Sequence, residues 1–104
     1  MMSSNPDVIV VGGGVIGCSI AFHLAKLGVR VVLLERDQLG SGASGASSGL
    51  LKPNYDTDSF ARFSMESLDM FSSLAKELKD LGGVDIELAR SGYLYVALNE
   101  EEAV

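Results

Sequence analysis

The stretch that decides the fold is VIVVGGGVIGCSIAFHLAKLGVRVVLLER, residues 8–36. Its first four residues form an apolar run, which is typical of a strand buried on both faces of a parallel sheet. Three glycines end that run, and from Val15 the apolar spacing becomes that of a helix, with Gly28 as its stop. A second apolar run follows over residues 31–34. The order strand, glycine turn, helix, strand predicts an α/β chain that begins with a βαβ unit.

The glycines after the first strand have the spacing Gly12-x-Gly14-x-x-Gly17. Between a strand and a helix, this spacing is typical of a Rossmann-like dinucleotide site. Gly12 permits the tight turn, Gly14 lets the backbone approach a pyrophosphate, and Gly17 permits close packing of helix on strand. The phosphates would lie over free N–H groups at the positive end of the helix dipole. The alternative is a βαβ unit whose glycines serve packing alone.

The residue that ends the second strand is acidic. Glu35 stands where a dinucleotide-binding unit accepts hydrogen bonds from ribose hydroxyls. A 2′-phosphate would be repelled there, although the neighbouring Arg36 leaves an opening for NADP. A nucleoside triphosphate is not expected, because the Gly-x4-Gly-Lys-Ser/Thr pattern is absent.

A second glycine-rich stretch, LGSGASGASSG, covers residues 39–49. Its small side chains suit a backbone that lies directly against a ligand, and its N–H and hydroxyl groups can donate to a pyrophosphate and to the polar edge of a flavin. A plain NAD unit would lead soon into another crossover helix, so this stretch favours FAD over NAD. The alternative is a mobile linker.

The rest of the chain predicts a long helix and then short strands. Apolar spacing over residues 60–81 indicates a helix with Thr57 or Asp58 as N-cap and Gly82 as stop, and the Phe60, Phe63 and Phe71 side chains are expected in a core. Strands are predicted at residues 84–88 and 93–98. Residues 99–102 resemble the start of another helix, so the chain is expected to be the N-terminal piece of a longer protein.

Composition excludes several classes of function. The 104 residues carry eight Lys+Arg against fourteen Asp+Glu, a net charge of −6, without a basic cluster, which argues against nucleic-acid partners. Neither a signal peptide nor a membrane span fits the N-terminus, so a cytoplasmic location is expected. One cysteine, Cys18, and one histidine exclude an intrachain disulfide and a structural zinc site.

Four segments together carry a family resemblance: residues 8–17 through 35–36, 40–51, 82–88 and 91–94. In this order they resemble the FAD-dependent oxidoreductases of the D-amino-acid oxidase type, of which glycine oxidase and sarcosine oxidase are the nearest members. The resemblance implies FAD as cofactor. It also implies that residues 1–81 are the N-terminal part of an FAD-binding domain and that residues 82–104 begin the β-structure of a substrate domain.

The resemblance also implies a set of FAD-binding residues. Glu35 would bind the adenosine ribose, and Arg36 would lie beside the adenine. The pyrophosphate would contact Gly12, Gly14, Val15, Ile16 and Gly17. The phosphates or the ribityl chain would contact Ala43 and Ser44. The isoalloxazine would lie beside Ser48, Gly49 and Leu50. Some relatives attach flavin through a histidine at the position of Ala46, and residues 40–51 contain no His or Cys, so non-covalent FAD is expected.

The reaction implied is oxidation of the C–N bond of a small amine or amino acid by hydride transfer to flavin, giving an imine that water hydrolyses. Electrons would then pass to oxygen or another acceptor. The substrate-binding residues are expected beyond these 104 residues, so no catalytic residue is assigned and the chain alone is expected to be inactive. The alternatives are a flavin dehydrogenase of a C–O bond in a 2-hydroxy acid or glycerol 3-phosphate, an NAD(P)-binding domain, and a non-catalytic nucleotide-binding subunit.

Overall fold

The computed structural model describes residues 5–53, 55–94 and 96–100. The chain divides into two compact units, Met1–Leu50 and Leu51–Val104. In chain order the elements are strand β1 (Val8–Val11), helix α1 (Val15–Lys26), strand β2 (Val31–Leu34) and helix α2 (Asp58–Gly82). The predicted βαβ unit and long helix are confirmed.

In the first unit, β1 and β2 form a parallel pair. Val8 lies opposite Val31 and Val11 opposite Leu34, and α1 contacts both strands. The alternate positions of the strands differ in exposure, with Val10 only 9% exposed. A parallel register over four residues brings the carboxyl ends of both strands to one edge, where the glycine turn and the loop after β2 begin.

The predicted burial of the strands on both faces is wrong for this chain. The side chains that alternate with Val10 are exposed, namely Ile9, Val11, Val32 and Leu34. The physical reason is that α1, the only helix of the first unit among the described residues, covers one face of the sheet.

An ion pair between Asp7 and Arg30 connects the two strands at the end of the sheet opposite the glycine turn. Arg30 donates through Nη2 to Asp7 Oδ1 at 2.7 Å and through Nε to Asp7 Oδ2 at 2.9 Å. This two-pronged geometry is the strong form of a carboxylate–guanidinium contact. The Arg30 side chain lowers the pKa of the Asp7 carboxyl below its ordinary value. The pair joins the residues just before β1 and β2, at the amino-terminal ends of the two strands.

In the second unit, α2 has Thr57 as its N-cap, as predicted, and its C-cap is Gly83, one residue after the predicted stop at Gly82. The Thr57 Oγ1 accepts a hydrogen bond from the Phe60 N–H at 3.3 Å, and the helix ends at Gly82 with Gly83 in the left-handed conformation. Phe60 and Phe63 are 58% and 71% exposed, so their predicted core position is wrong, whereas Phe71 is half-buried. Within this unit α2 is the only regular element among the described residues, so no second element covers that end of the helix.

The strands predicted at residues 84–88 and 93–98 are not formed in the described part of the chain, from which residue 95 is missing. A strand needs a backbone partner, and among the described residues β1 and β2 pair only with each other. The residues after α2 contact the helix through exposed ion pairs, Lys79 to Asp85 at 2.9 Å and Arg90 to Asp69 at 3.0 Å. The predicted helix start at residues 99–102 lies partly outside the described residues. No helix formed by the described residues is both long and apolar enough to cross a membrane.

Candidate dinucleotide-binding site

A cavity of about 770 Å³ lies at the carboxyl ends of β1 and β2. This is where open α/β sheets bind ligands, and the volume lies in the usual range of small-molecule sites. Most of the predicted cofactor-binding residues line it: Gly12, Gly14, Val15, Ile16, Gly17, Glu35, Arg36, Ala43 and Ser44. The other three, Ser48, Gly49 and Leu50, are exposed and are not part of its wall.

The glycine turn has the backbone geometry that its spacing predicts. Gly12 has a φ of +105°, a conformation that L side chains rarely adopt. A Cβ added to Gly17 would overlap the carbonyl oxygen of Gly12. The turn can therefore bring the start of α1 directly against the end of β1 only because these two residues have no side chain.

The start of α1 presents backbone donors to the cavity. Its N-cap, Gly14, has no side chain to cap the helix. The Val15 N–H donates to Ser44 Oγ at 2.8 Å, while the N–H groups of Ile16 and Gly17 have no acceptor among the described residues. Unpaired N–H groups at a helix N-terminus favour an anionic ligand such as a phosphate.

Glu35 projects into the same cavity from the end of β2. Its Oε2 accepts the Gly13 N–H at 2.6 Å, and its Oε1 accepts the Asp37 N–H at 3.0 Å. These hydrogen bonds, that of Gly13 first, lower the pKa of the Glu35 carboxyl. The side chain is therefore a carboxylate at neutral pH and keeps lone pairs for a further donor.

Sequence reasoning missed Gly13, which lies beside the cavity, and it also assigned no binding role to Val10, Ile20 and Asp37, which line it. Gly13 occupies a variable position of the glycine motif, so the spacing assigns it no role. In the structure it is buried, its N–H is bound by Glu35, and its carbonyl accepts the Gly40 N–H at 2.9 Å. The only sign in the sequence was that a further glycine stands between Gly12 and Gly14. That position did not show which residue it would contact.

The second glycine-rich segment folds onto the first. Besides the contacts of Gly40 with Gly13 and of Ser44 with Val15, the segment closes on itself through the Ala46 N–H, which donates to the Gly42 carbonyl at 3.2 Å. These hydrogen bonds favour a defined loop over the mobile linker that its composition also allowed. Turn and loop together form one cradle around the cavity.

Cys18 lies beside this cradle on the first turn of α1. It is partly buried, and its Sγ contacts the Gly13 carbonyl oxygen at 3.5 Å. Cys18 therefore packs against the glycine turn.

Comparison with known proteins shows similarity over nearly the whole chain. A family model described as FAD dependent oxidoreductase matches residues 7–104. A glycine oxidase of Geobacillus kaustophilus is 41% identical over 105 residues, which cover 98% of this chain and 28% of that protein. Mitochondrial sarcosine dehydrogenase of Mus musculus is 34% identical over 101 residues, which cover 96% of this chain and 11% of that protein.

A crystal structure of glycine oxidase from Bacillus cereus is similar in fold as well as in sequence. The TM-score is 0.81 at 37% identity, and the match covers 95% of this chain and 28% of that one. The chain thus spans 28% or less of the length of these three relatives.

Proposed function

The chain belongs to the FAD-dependent oxidoreductase family, and from this premise we propose that it forms the adenosine-diphosphate-binding part of an enzyme that oxidises a C–N bond. The observation that supports this most directly is the cradle at the sheet edge. Two glycine-rich segments and the Glu35 carboxylate surround one cavity, and unpaired N–H groups of α1 line it.

The residues of the cradle fit the two ends of an adenosine diphosphate group. The N–H groups of Ile16 and Gly17 receive the pyrophosphate, and the Ser44 hydroxyl beside Val15 contributes a further polar contact. Glu35 accepts ribose hydroxyls on lone pairs that the backbone leaves open. Arg36, which also lines the cavity, lies beside the adenine. Because the carboxylate is charged, it disfavours a 2′-phosphate.

When bound, FAD supplies the capacity to accept a hydride from the carbon next to the substrate nitrogen. The chain's own residues bind and orient the adenosine half of the cofactor. Contacts of Ser48, Gly49 and Leu50 with the isoalloxazine, a domain boundary after residue 81, and a cytoplasmic location stay predictions.

The substrate class is supported by the names of the relatives. They include glycine oxidases, sarcosine dehydrogenase and 4-methylaminobutanoate oxidase, the last being 39% identical over 97 residues. We therefore propose a small amine or amino acid as substrate. Since the names include oxidases and a dehydrogenase, the electron acceptor is oxygen or another acceptor.

The visible spectrum of the full-length natural protein tests this function. We expect a yellow protein whose flavin absorbance bleaches when glycine, sarcosine or a D-amino acid is added without oxygen. Bleaching by glycerol 3-phosphate or a 2-hydroxy acid alone would contradict C–N oxidation, and a colourless protein that takes up no FAD would contradict the whole proposal.

Acid precipitation of the same yellow protein tests how the flavin is held. Since residues 40–51 contain no His or Cys, we expect the flavin to remain in the supernatant. Flavin that stays with the pellet would show covalent attachment.

A further inference from the structure

The Glu35 carboxylate joins the ends of the two strands. Its hydrogen bond from the Gly13 N–H, at 2.6 Å, is short for an N–H donor, as expected when the acceptor carries charge. Its other oxygen holds the Asp37 N–H at 3.0 Å. One side chain therefore connects the turn after β1 to the loop after β2.

Gly13 is fixed on both of its peptide groups. Its N–H is bound to Glu35, and its carbonyl oxygen accepts the Gly40 N–H at 2.9 Å. It is also enclosed, since an added Cβ would lie 2.5 Å from Leu39 Cδ2 and 3.1 Å from Glu35 Cβ. Through Gly14, the N-cap of α1, the backbone on either side of Gly13 connects the end of β1 to the first turn of that helix.

We propose that Glu35 is a positioning residue for the pyrophosphate-binding amides, in addition to binding the ribose. By holding the Gly13 N–H, it fixes the turn from which the amides of α1 project into the cavity. Both roles fit on one carboxylate, because each oxygen can accept more than one hydrogen bond. The inference rests on the proposed binding of a dinucleotide at this site.

Three simple models of Glu35 predict different results. A carboxylate that only repels the nearby phosphates would weaken their binding, so its removal would strengthen it. A carboxylate that only binds ribose would matter only for ligands with ribose hydroxyls. A positioning residue is needed for phosphate binding even when those hydroxyls are absent.

The test compares ADP with 2′,3′-dideoxy-ADP, which lacks both ribose hydroxyls, on full-length protein freed of flavin. Each is titrated as a competitor of FAD rebinding. In Glu35→Ala we expect the affinity for dideoxy-ADP to fall about three- to tenfold, and that for ADP to fall further. Glu35→Gln keeps one carbonyl acceptor and should recover part of the dideoxy-ADP affinity.

Hydrogen exchange of the peptide containing Gly13, measured without nucleotide, is the second readout. We expect faster exchange in Glu35→Ala than in the natural protein. Asp37→Asn is the matched control, because it removes a neighbouring carboxylate but keeps the backbone N–H that Glu35 holds; its exchange should be unchanged.

Unchanged or tighter binding of dideoxy-ADP to Glu35→Ala would overturn the positioning role, as would unchanged exchange at Gly13. If Glu35→Ala does not fold, the same two measurements on Glu35→Gln decide. If the natural protein binds neither FAD nor ADP, the proposed function fails, and the exchange experiment still shows whether Glu35 holds Gly13.

Discussion

The two glycine-rich segments of this chain differ in how far the fold explains their small residues. In residues 12–17, Gly13 is buried, and a Cβ on Gly17 would overlap the Gly12 carbonyl oxygen. In residues 40–49 most positions are exposed; a Cβ on Gly45 would overlap the Gly40 carbonyl oxygen, but a Cβ on Gly42 would meet nothing within 4 Å. The protein's own packing therefore explains Gly13, Gly17 and Gly45 but does not explain Gly42.

Some of these glycines are therefore required by the fold, whereas others are small residues at the cavity wall. A glycine that the backbone requires should be intolerant of substitution in the free protein. Substitution of a small residue that only faces the cavity should change cofactor affinity and leave the stability of the free protein unchanged. Substitutions in the two segments can separate these two cases.

Substitution at Gly17 should have the largest effect. Gly17→Ala forces α1 away from the end of β1, and we expect a loss of about 1 to 3 kcal/mol in the free energy of unfolding, as for other overpacked sites, together with loss of bound flavin. Denaturant unfolding and the flavin content of purified protein measure both. Gly42→Ala is the control and should change stability by no more than about 0.5 kcal/mol. Equal destabilisation by the two changes would remove the distinction.

Substitution at Ser44 should act on binding more than on folding. Ser44→Ala removes the hydroxyl that accepts the Val15 N–H at 2.8 Å and that we place beside the pyrophosphate. We expect FAD affinity to fall about three- to tenfold, with little change in melting temperature because the site is exposed to water. Fluorescence titration of flavin into apoprotein measures it, with Ser41→Ala in the same loop as control. Loss of stability without loss of affinity would assign Ser44 to the fold instead.

The smallest effect is expected at the far end of the sheet, at the Asp7–Arg30 pair. The pKa of the Asp7 carboxyl is lowered in the folded state by Arg30. The Asp7–Arg30 pair therefore stabilises the folded state fully above the ordinary aspartate pKa of about 3.9. This stabilisation is lost as the pH falls through the lowered pKa of Asp7. Asp7→Asn should lower the melting temperature by at most a few degrees at pH 7, and this difference should vanish in acid.

Flavin affinity at pH 7 should be the same in Asp7→Asn as in the natural protein, because the pair lies away from the cavity. Asp80→Asn, in the exposed Lys76–Asp80 pair at 3.3 Å, is the control and should change the melting temperature less. A difference between Asp7→Asn and the natural protein that grows in acid would contradict the assignment.

The elements that could be predicted from the sequence are those fixed by local chemistry. The apolar runs of β1 and β2, the glycines between β1 and α1, and the Thr57 cap of α2 act over a few residues, and the structure has all of them. The match to the FAD dependent oxidoreductase family confirms the predicted family and its cofactor.

What could not be predicted depends on contacts between distant residues. The segment after α2 has the residue types of strands, but a strand needs a partner strand, and no strand is formed in its described part. Phe60 has the spacing of a core residue, but exposure depends on whether another element covers it. The hydrogen bond from the Gly13 N–H to Glu35 joins residues at the ends of different strands. The sequence around either residue does not indicate that the other is its partner.

The residues that line the cavity all lie between Val10 and Ser47, within the first compact unit. These residues all belong to one unit, so none of the described residues of the second unit lines the cavity. We therefore expect the nucleotide cradle to assemble early during synthesis on the ribosome, where chains fold from the N-terminus onward. FAD captured at that stage would stabilise the nascent unit by mass action, so cofactor supply would influence the yield of folded protein as well as its activity.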